Sequence, residues 1–159
     1  MTESVNTRRA FLAAGGAAAG GGVIAAASAQ PATTINDPAV VREIEEAFAA
    51  YDRALGANNV TALNGFFYAS PSTVRYGNAE NLYGYAEIQA YRAGVAAPGG
   101  PPKRERTVVT SYGRDFATVA TLSRPRQAGK VGRTMQTWVR FPEGWRIVAA
   151  HVSMIDEPK

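Results

Sequence analysis

Arg75 stands where a charge is least expected. It sits between Val74 and Tyr76 in residues 73–77, whose β-branched and aromatic neighbours predict a half-buried strand. Side chains alternate along a strand, so Arg75 faces away from Val74 and Tyr76. It then either points to solvent or carries a guanidinium, a two-pronged donor suited to carboxylates, into the interior. The single histidine, His151, lies in Ile147-Val148-Ala149-Ala150-His151-Val152, a stretch apolar on both faces that predicts a partly buried imidazole. A hydrogen-bonded core residue and a catalytic base are both open to it. One histidine cannot build a His-based metal site, and a chain without cysteine has no thiolate nucleophile, zinc finger, iron–sulfur cluster or disulfide. The sequence also lacks a phosphate-cradling Gly-rich loop after a strand, G-x-S-x-G and H-E-x-x-H. Neither a metal nor a cofactor is expected.

Regular elements must position these groups. Asp37 followed by Pro38 is a helix start, an N-cap with proline at the first helical position. Val41, Ile44, Phe48, Tyr51 and Leu55 then recur at spacings of three and four, which puts Tyr51 on the buried face of a helix ending near Gly56. Asn58 is the expected cap of a second, short helix with Val60, Leu63, Phe66 and Phe67 facing inward. The strand bearing Arg75 follows, then a turn through Gly77-Asn78 and Asn81, then an amphipathic helix after Gly84. Residues 94–102, GVAAPGGPP, form a Gly/Pro hinge that cannot continue a helix. Beyond it the period changes from helical to alternating, and residues 106–112, 116–124, 131–141 and 145–154 read as four strands joined by short turns, hence antiparallel neighbours. Trp138, Trp145, Tyr112 and Phe116 fall where core packing accounts for them. Lys103-Arg104-Glu105-Arg106 reads as a solvated strand start. The resulting architecture is α+β, with helices on one face of a curved antiparallel sheet.

Composition bounds the rest. With 159 residues, 46% apolar and 19% charged, the chain holds one ordinary domain. The formal charge is +4, but the basic residues are scattered singly, which favours a small anionic ligand over nucleic acid. Residues 1–29 are set apart: Thr7-Arg8-Arg9-Ala10-Phe11-Leu12 leads into a Gly/Ala-rich run that ends at Ala27-Ser28-Ala29, the pattern of a twin-arginine export signal with a small-residue cleavage site. Residues 30–159 are then a single exported, periplasmic domain with no stable membrane anchor. Without Glu3, Arg8 and Arg9 it keeps 15 basic and 12 acidic residues.

Four blocks in order, NDPAVVREIEEAFAAYDRAL, STVRYGNAENLYGYAEIQAYR, RTVVTSYGRDFATVAT and QTWVRFPEGWRIVAAHVS, closely resemble the AtzH/HpxZ family, also described as oxalurate-catabolism-type proteins, within the SnoaL-like, nuclear-transport-factor-2-like superfamily. The resemblance covers roughly Asn36 to Ser153. It implies a cone-like fold of three N-terminal helices packed on a strongly curved, mostly antiparallel sheet, with a pocket between them and often a homodimer through the convex face. It further implies an amidohydrolase acting on a carboxylated urea or oxalurate-like compound, its functional tyrosine and arginine matching Tyr51 and Arg75. The leader, and a hinge that looks altered around residues 97–102, depart from the family's pattern.

The expected site therefore has Tyr51 and Arg75 as catalytic residues and Arg75, Tyr83, Trp138 and His151 binding substrate, with no metal. The function expected is hydrolysis of a C–N bond in a small anionic ureido or amide compound. A non-catalytic small-molecule-binding or accessory dimeric module of the same fold is the alternative, since fold does not fix chemistry.

Overall fold

The computed structural model describes residues 33–157 except 97–99, 101 and 126, so the leader and most of the altered hinge lie outside the described residues. Helix α1, Pro38–Gly56, starts where Asp37 accepts a hydrogen bond from the Ala39 amide at 2.9 Å. Its buried stripe is Val40, Ile44, Phe48, Tyr51 and Ala54, rotated slightly from the expected one, with Val41 and Leu55 at its margin. Helix α2, Val60–Phe66, is capped by Asn59 rather than Asn58. Asn58 instead takes a left-handed conformation (φ 49°) that redirects the chain between the helices. Helix α3, Tyr85–Gly94, follows Gly84 (φ 83°) and buries Ile88 and Arg92, four residues apart on one face.

Strands β1 (Val74–Tyr76) and β2 (Asn81–Tyr83) form a short hairpin, so the segment read as a turn around Asn81 is a strand. Strands β3 (Lys103–Tyr112), β4 (Phe116–Arg124), β5 (Lys130–Phe141) and β6 (Gly144–Asp156) make the expected meander. The curled, open sheet runs β2-β1-β6-β5-β4-β3, antiparallel throughout except where β1 lies parallel to β6. Its inner face presents Arg75, Ala150, Ile147, Gln136, Trp138, Val119 and Ala117 to Ile44, Phe48, Leu63 and Ile88 of the helices, and this single core carries most of the apolar burial.

One irregularity decides which residues face inward. Trp138 pairs with Ile147 and Thr137 with Ala149, leaving Val148 as an extra residue on β6. Strict alternation from Trp145 and Ile147 would carry His151 inward; the bulge flips the parity, so Ala150 is buried and His151 is exposed.

The outer edge strand, β3, is longer than expected. It begins at Lys103, and a bulge between Arg104 and Arg106 turns Arg104 toward the helices, where its guanidinium grips Asp52 of α1 through Nε (3.0 Å) and Nη2 (2.7 Å). The charged run is thus only partly a solvated strand start. At the other end, residues 34–36 lie against β3: Ile35 bridges Tyr112, Asn36 exchanges hydrogen bonds with Ser111, and the Gly113 amide donates to Thr34.

Candidate functional site

Tyr51 is buried on the α1 stripe, stacked on Phe48 (6.3 Å between ring centroids) and edge-on to Phe66 (5.7 Å), which in turn meets Trp138 at 6.2 Å. Its hydroxyl does not meet Arg75. It accepts a hydrogen bond from Nη2 of Arg92 at 3.1 Å, and because the oxygen is the acceptor there, the O–H remains available as a donor. Arg92 is only 7% exposed, and its Nε has no hydrogen-bond partner among the described residues. No carboxylate pairs with it among those residues. A buried guanidinium whose hydrogen bonding rests on one neutral hydroxyl is an uncompensated charge.

Arg75 also faces inward, as strand alternation allows, and is 6% exposed. It is already occupied. Nη1 pairs with Glu80 on the β1–β2 turn, and the guanidinium lies over the Tyr91 ring at 4.8 Å. Burial pushes the Glu80 carboxyl up, but hydrogen bonds from Arg75, Tyr91 and the Ala79 amide outweigh it and hold the group below its ordinary value. Burial, followed by the bond to Glu80, raises the Tyr91 hydroxyl, which therefore stays a neutral donor. Glu80 reaches Arg75 by folding across Gly77, where any Cβ would overlap its carboxylate.

Helix α3 thus links the two expected catalytic residues indirectly, Tyr91 lying beneath Arg75 and Arg92 touching Tyr51. Trp138 belongs to the same interior, its Nε1 donating to the buried Gln136 side chain at 3.1 Å. Tyr83 and His151 do not. Tyr83 is 58% exposed, edge-on to Tyr76, which also meets the His151 ring, all on the outer face. Position on an edge hairpin accounts for where Tyr83 lies and the Val148 bulge for where His151 lies. His151 lines an outer-face groove of about 460 Å³ with Val108, Leu122, Arg133 and Met135. Sequence reasoning missed Arg92, Glu80 and Tyr91. The readable signal for Arg92 was a basic residue four positions after Ile88 on an amphipathic helix.

Among the described residues the two buried guanidiniums are met by one half-buried carboxylate, Glu80 on Arg75, while Arg104 is neutralised by Asp52, so the interior keeps an excess positive charge beside two tyrosine hydroxyls. That arrangement can hold a small anion and donate hydrogen bonds to it. No group of three or more His, Asp or Glu side chains suited to a metal occurs among the described residues.

The chain is similar to solved structures that share this architecture. A protein of unknown function from the DUF3225 family of Pectobacterium atrosepticum is 44% identical (TM-score 0.74), the alignment covering 77% of this chain and 95% of that one. A cystatin-like fold protein from Burkholderia xenovorans is also 44% identical (TM-score 0.74; 79% and 99% covered). A nuclear transport factor 2-like superfamily protein from Salmonella enterica serovar Typhimurium is 25% identical (TM-score 0.61; 77% and 94% covered). No curated protein matches the chain. The model of the AtzH-like family matches residues 33–158, which contain every element of the interior just described, and the chain belongs to that family.

Proposed function

We propose that this domain binds a small anionic amide or ureido compound inside the cone and hydrolyses its C–N bond. Membership of the AtzH-like family and the nuclear transport factor 2-like neighbours support a small-molecule-binding fold. The observation that carries the reading is the excess buried positive charge beside the Tyr51 hydroxyl. In the proposed reaction the positive charge that Arg75 and Arg92 bring to the interior attracts the substrate carboxylate, water adds to the carbonyl carbon, and the C–N bond breaks as the proton given up by that water passes to the departing nitrogen. Tyr51, its oxygen already accepting from Arg92, directs its O–H to the developing oxyanion or that nitrogen. The proposal also keeps export through residues 1–29, and a homodimer through the outer face, where Val108, Leu122 and Met135 are exposed. A non-catalytic binding module is the second reading, favoured by the pairing of Arg75 with Glu80.

The test is release of free amine or ammonia from a panel of ureido acids and carboxylated amides. Tyr51→Phe should lose at least about a hundredfold in turnover while still binding. Arg75→Lys should raise KM more than it lowers kcat, because lysine keeps the charge and loses the planar fork. A wild-type domain that is stabilised by these compounds yet turns over none of them is the binding module.

A further inference from the structure

The two buried guanidiniums are not equivalent. Arg75 has its charge met by Glu80 and its face covered by Tyr91. Among the described residues Arg92 has one neutral partner and an orphaned Nε, although it is nine-tenths buried. Glu80 is part of the same chain and held four residues from the strand it serves by a tight turn, in which the Gly77 amide donates to the Glu80 carbonyl at 2.8 Å. It therefore competes for Arg75 at a high effective concentration that a free ligand must overcome. No such competitor stands at Arg92 among the described residues.

We propose that Arg92, with the Tyr51 hydroxyl beside it, is the anchor for the ligand carboxylate, and that Glu80 is the chain's own counter-anion on Arg75. This rests on the interior being the anion site and assigns the work within it. The consequence is a specificity: with Arg75 neutralised, the interior offers one uncompensated positive charge and takes a monocarboxylate in preference to a dicarboxylate. Glu80 is then the residue that sets how many charges the ligand carries. Gly77 matters for the same reason, since it alone leaves room for the Glu80 side chain to fold back.

The experiment compares acetate and malonate with chloride at constant ionic strength and neutral pH, reading the melting temperature of wild type, Arg92→Met, Glu80→Gln and Gly77→Ala. A ligand that binds only the native state must raise it. Wild type should respond to acetate more strongly than to malonate. Arg92→Met should melt at or above the wild-type temperature, because it removes an uncompensated buried charge, and its apparent affinity for acetate should fall at least about tenfold. Glu80→Gln and Gly77→Ala, one by neutralising the counter-anion and the other by displacing it, should both shift preference several-fold toward malonate. Should Arg92→Met fail to fold, Arg92→Lys, which keeps the charge without Nε, should bind acetate several-fold more weakly. An Arg92 variant with the wild-type response, a wild type indifferent to both anions, or unchanged preference in both the Glu80 and Gly77 variants overturns the assignment. Because the readout is binding, it can stand where turnover is absent, and fail where turnover is found.

Discussion

The pairing of Tyr51 with Arg92 can be measured without any substrate. Tyr51→Phe removes one oxygen and keeps the ring against Phe48 and Phe66. What is lost is the one hydrogen bond that Arg92, a residue only 7% exposed, makes among the described residues, so the cost is that of a bond to a charged group in the interior, about 1.5–3 kcal/mol. For a domain of this size that lowers the melting temperature by several degrees. In an Arg92→Met background the hydroxyl has no guanidinium to satisfy, and Tyr51→Phe should cost less than about 0.5 kcal/mol. The double-mutant cycle should therefore give a coupling energy of about 1–2.5 kcal/mol. Urea unfolding followed by the fluorescence of Trp138 and Trp145 supplies the four stabilities, and equal m-values across the set show that the same transition is being compared. Effects that add to within about 0.5 kcal/mol would refute the pairing and leave Tyr51 as a core ring with an incidental oxygen.

The remaining predictions concern acid and the outer face. The carboxyl of Glu80 is held below its ordinary 4.5 in the folded state, so the unfolded chain binds more protons between the two values. Its contribution is then fully present above the ordinary value and lost as pH falls through the folded one; urea midpoints measured across the acid range should fall less steeply for Glu80→Gln than for wild type. His151 is exposed and outside the core, so His151→Gln should change stability by less than about 0.5 kcal/mol, and a larger loss in thermal unfolding would contradict its placement.

Much of this architecture is legible in the residues. The Asp37-Pro38 start, the three-and-four spacing through Tyr51 and the change to alternation after the hinge are local signals, and each produced the element it implied. Parity along β6 is not local. Whether His151 faces in or out depends on Val148 having no partner on β5, and nothing in an all-apolar run marks the residue that will bulge. The site was half legible for a similar reason. Tyr51 and Arg75 declare themselves by position, but Arg92 is placed by the docking of α3 and Glu80 by a backward fold over Gly77, and both are tertiary events. Tyr83 falls in a segment that reads as a turn, and only the pairing of β2 at the sheet's edge sets its outward direction.

An open sheet must also live with its edges. A ten-residue strand with one side unpaired invites another copy of itself to extend the sheet, which is how edge strands seed aggregates. Strand β3 is shielded at both ends by different means. Its beginning carries Lys103, Glu105 and Arg106, and the bulge at Arg104 bends it out of register for a flat partner. Its end is covered by residues 34–36, whose hydrogen bonds take up the Ser111 amide and carbonyl and the Gly113 amide. The segment just ahead of α1 thus acts as a strip of false neighbour, and the charged run read as a solvated strand start acts as a guard against edge-to-edge pairing. The protection of this edge is therefore supplied in part by residues far from the interior, in the segment that leads into α1.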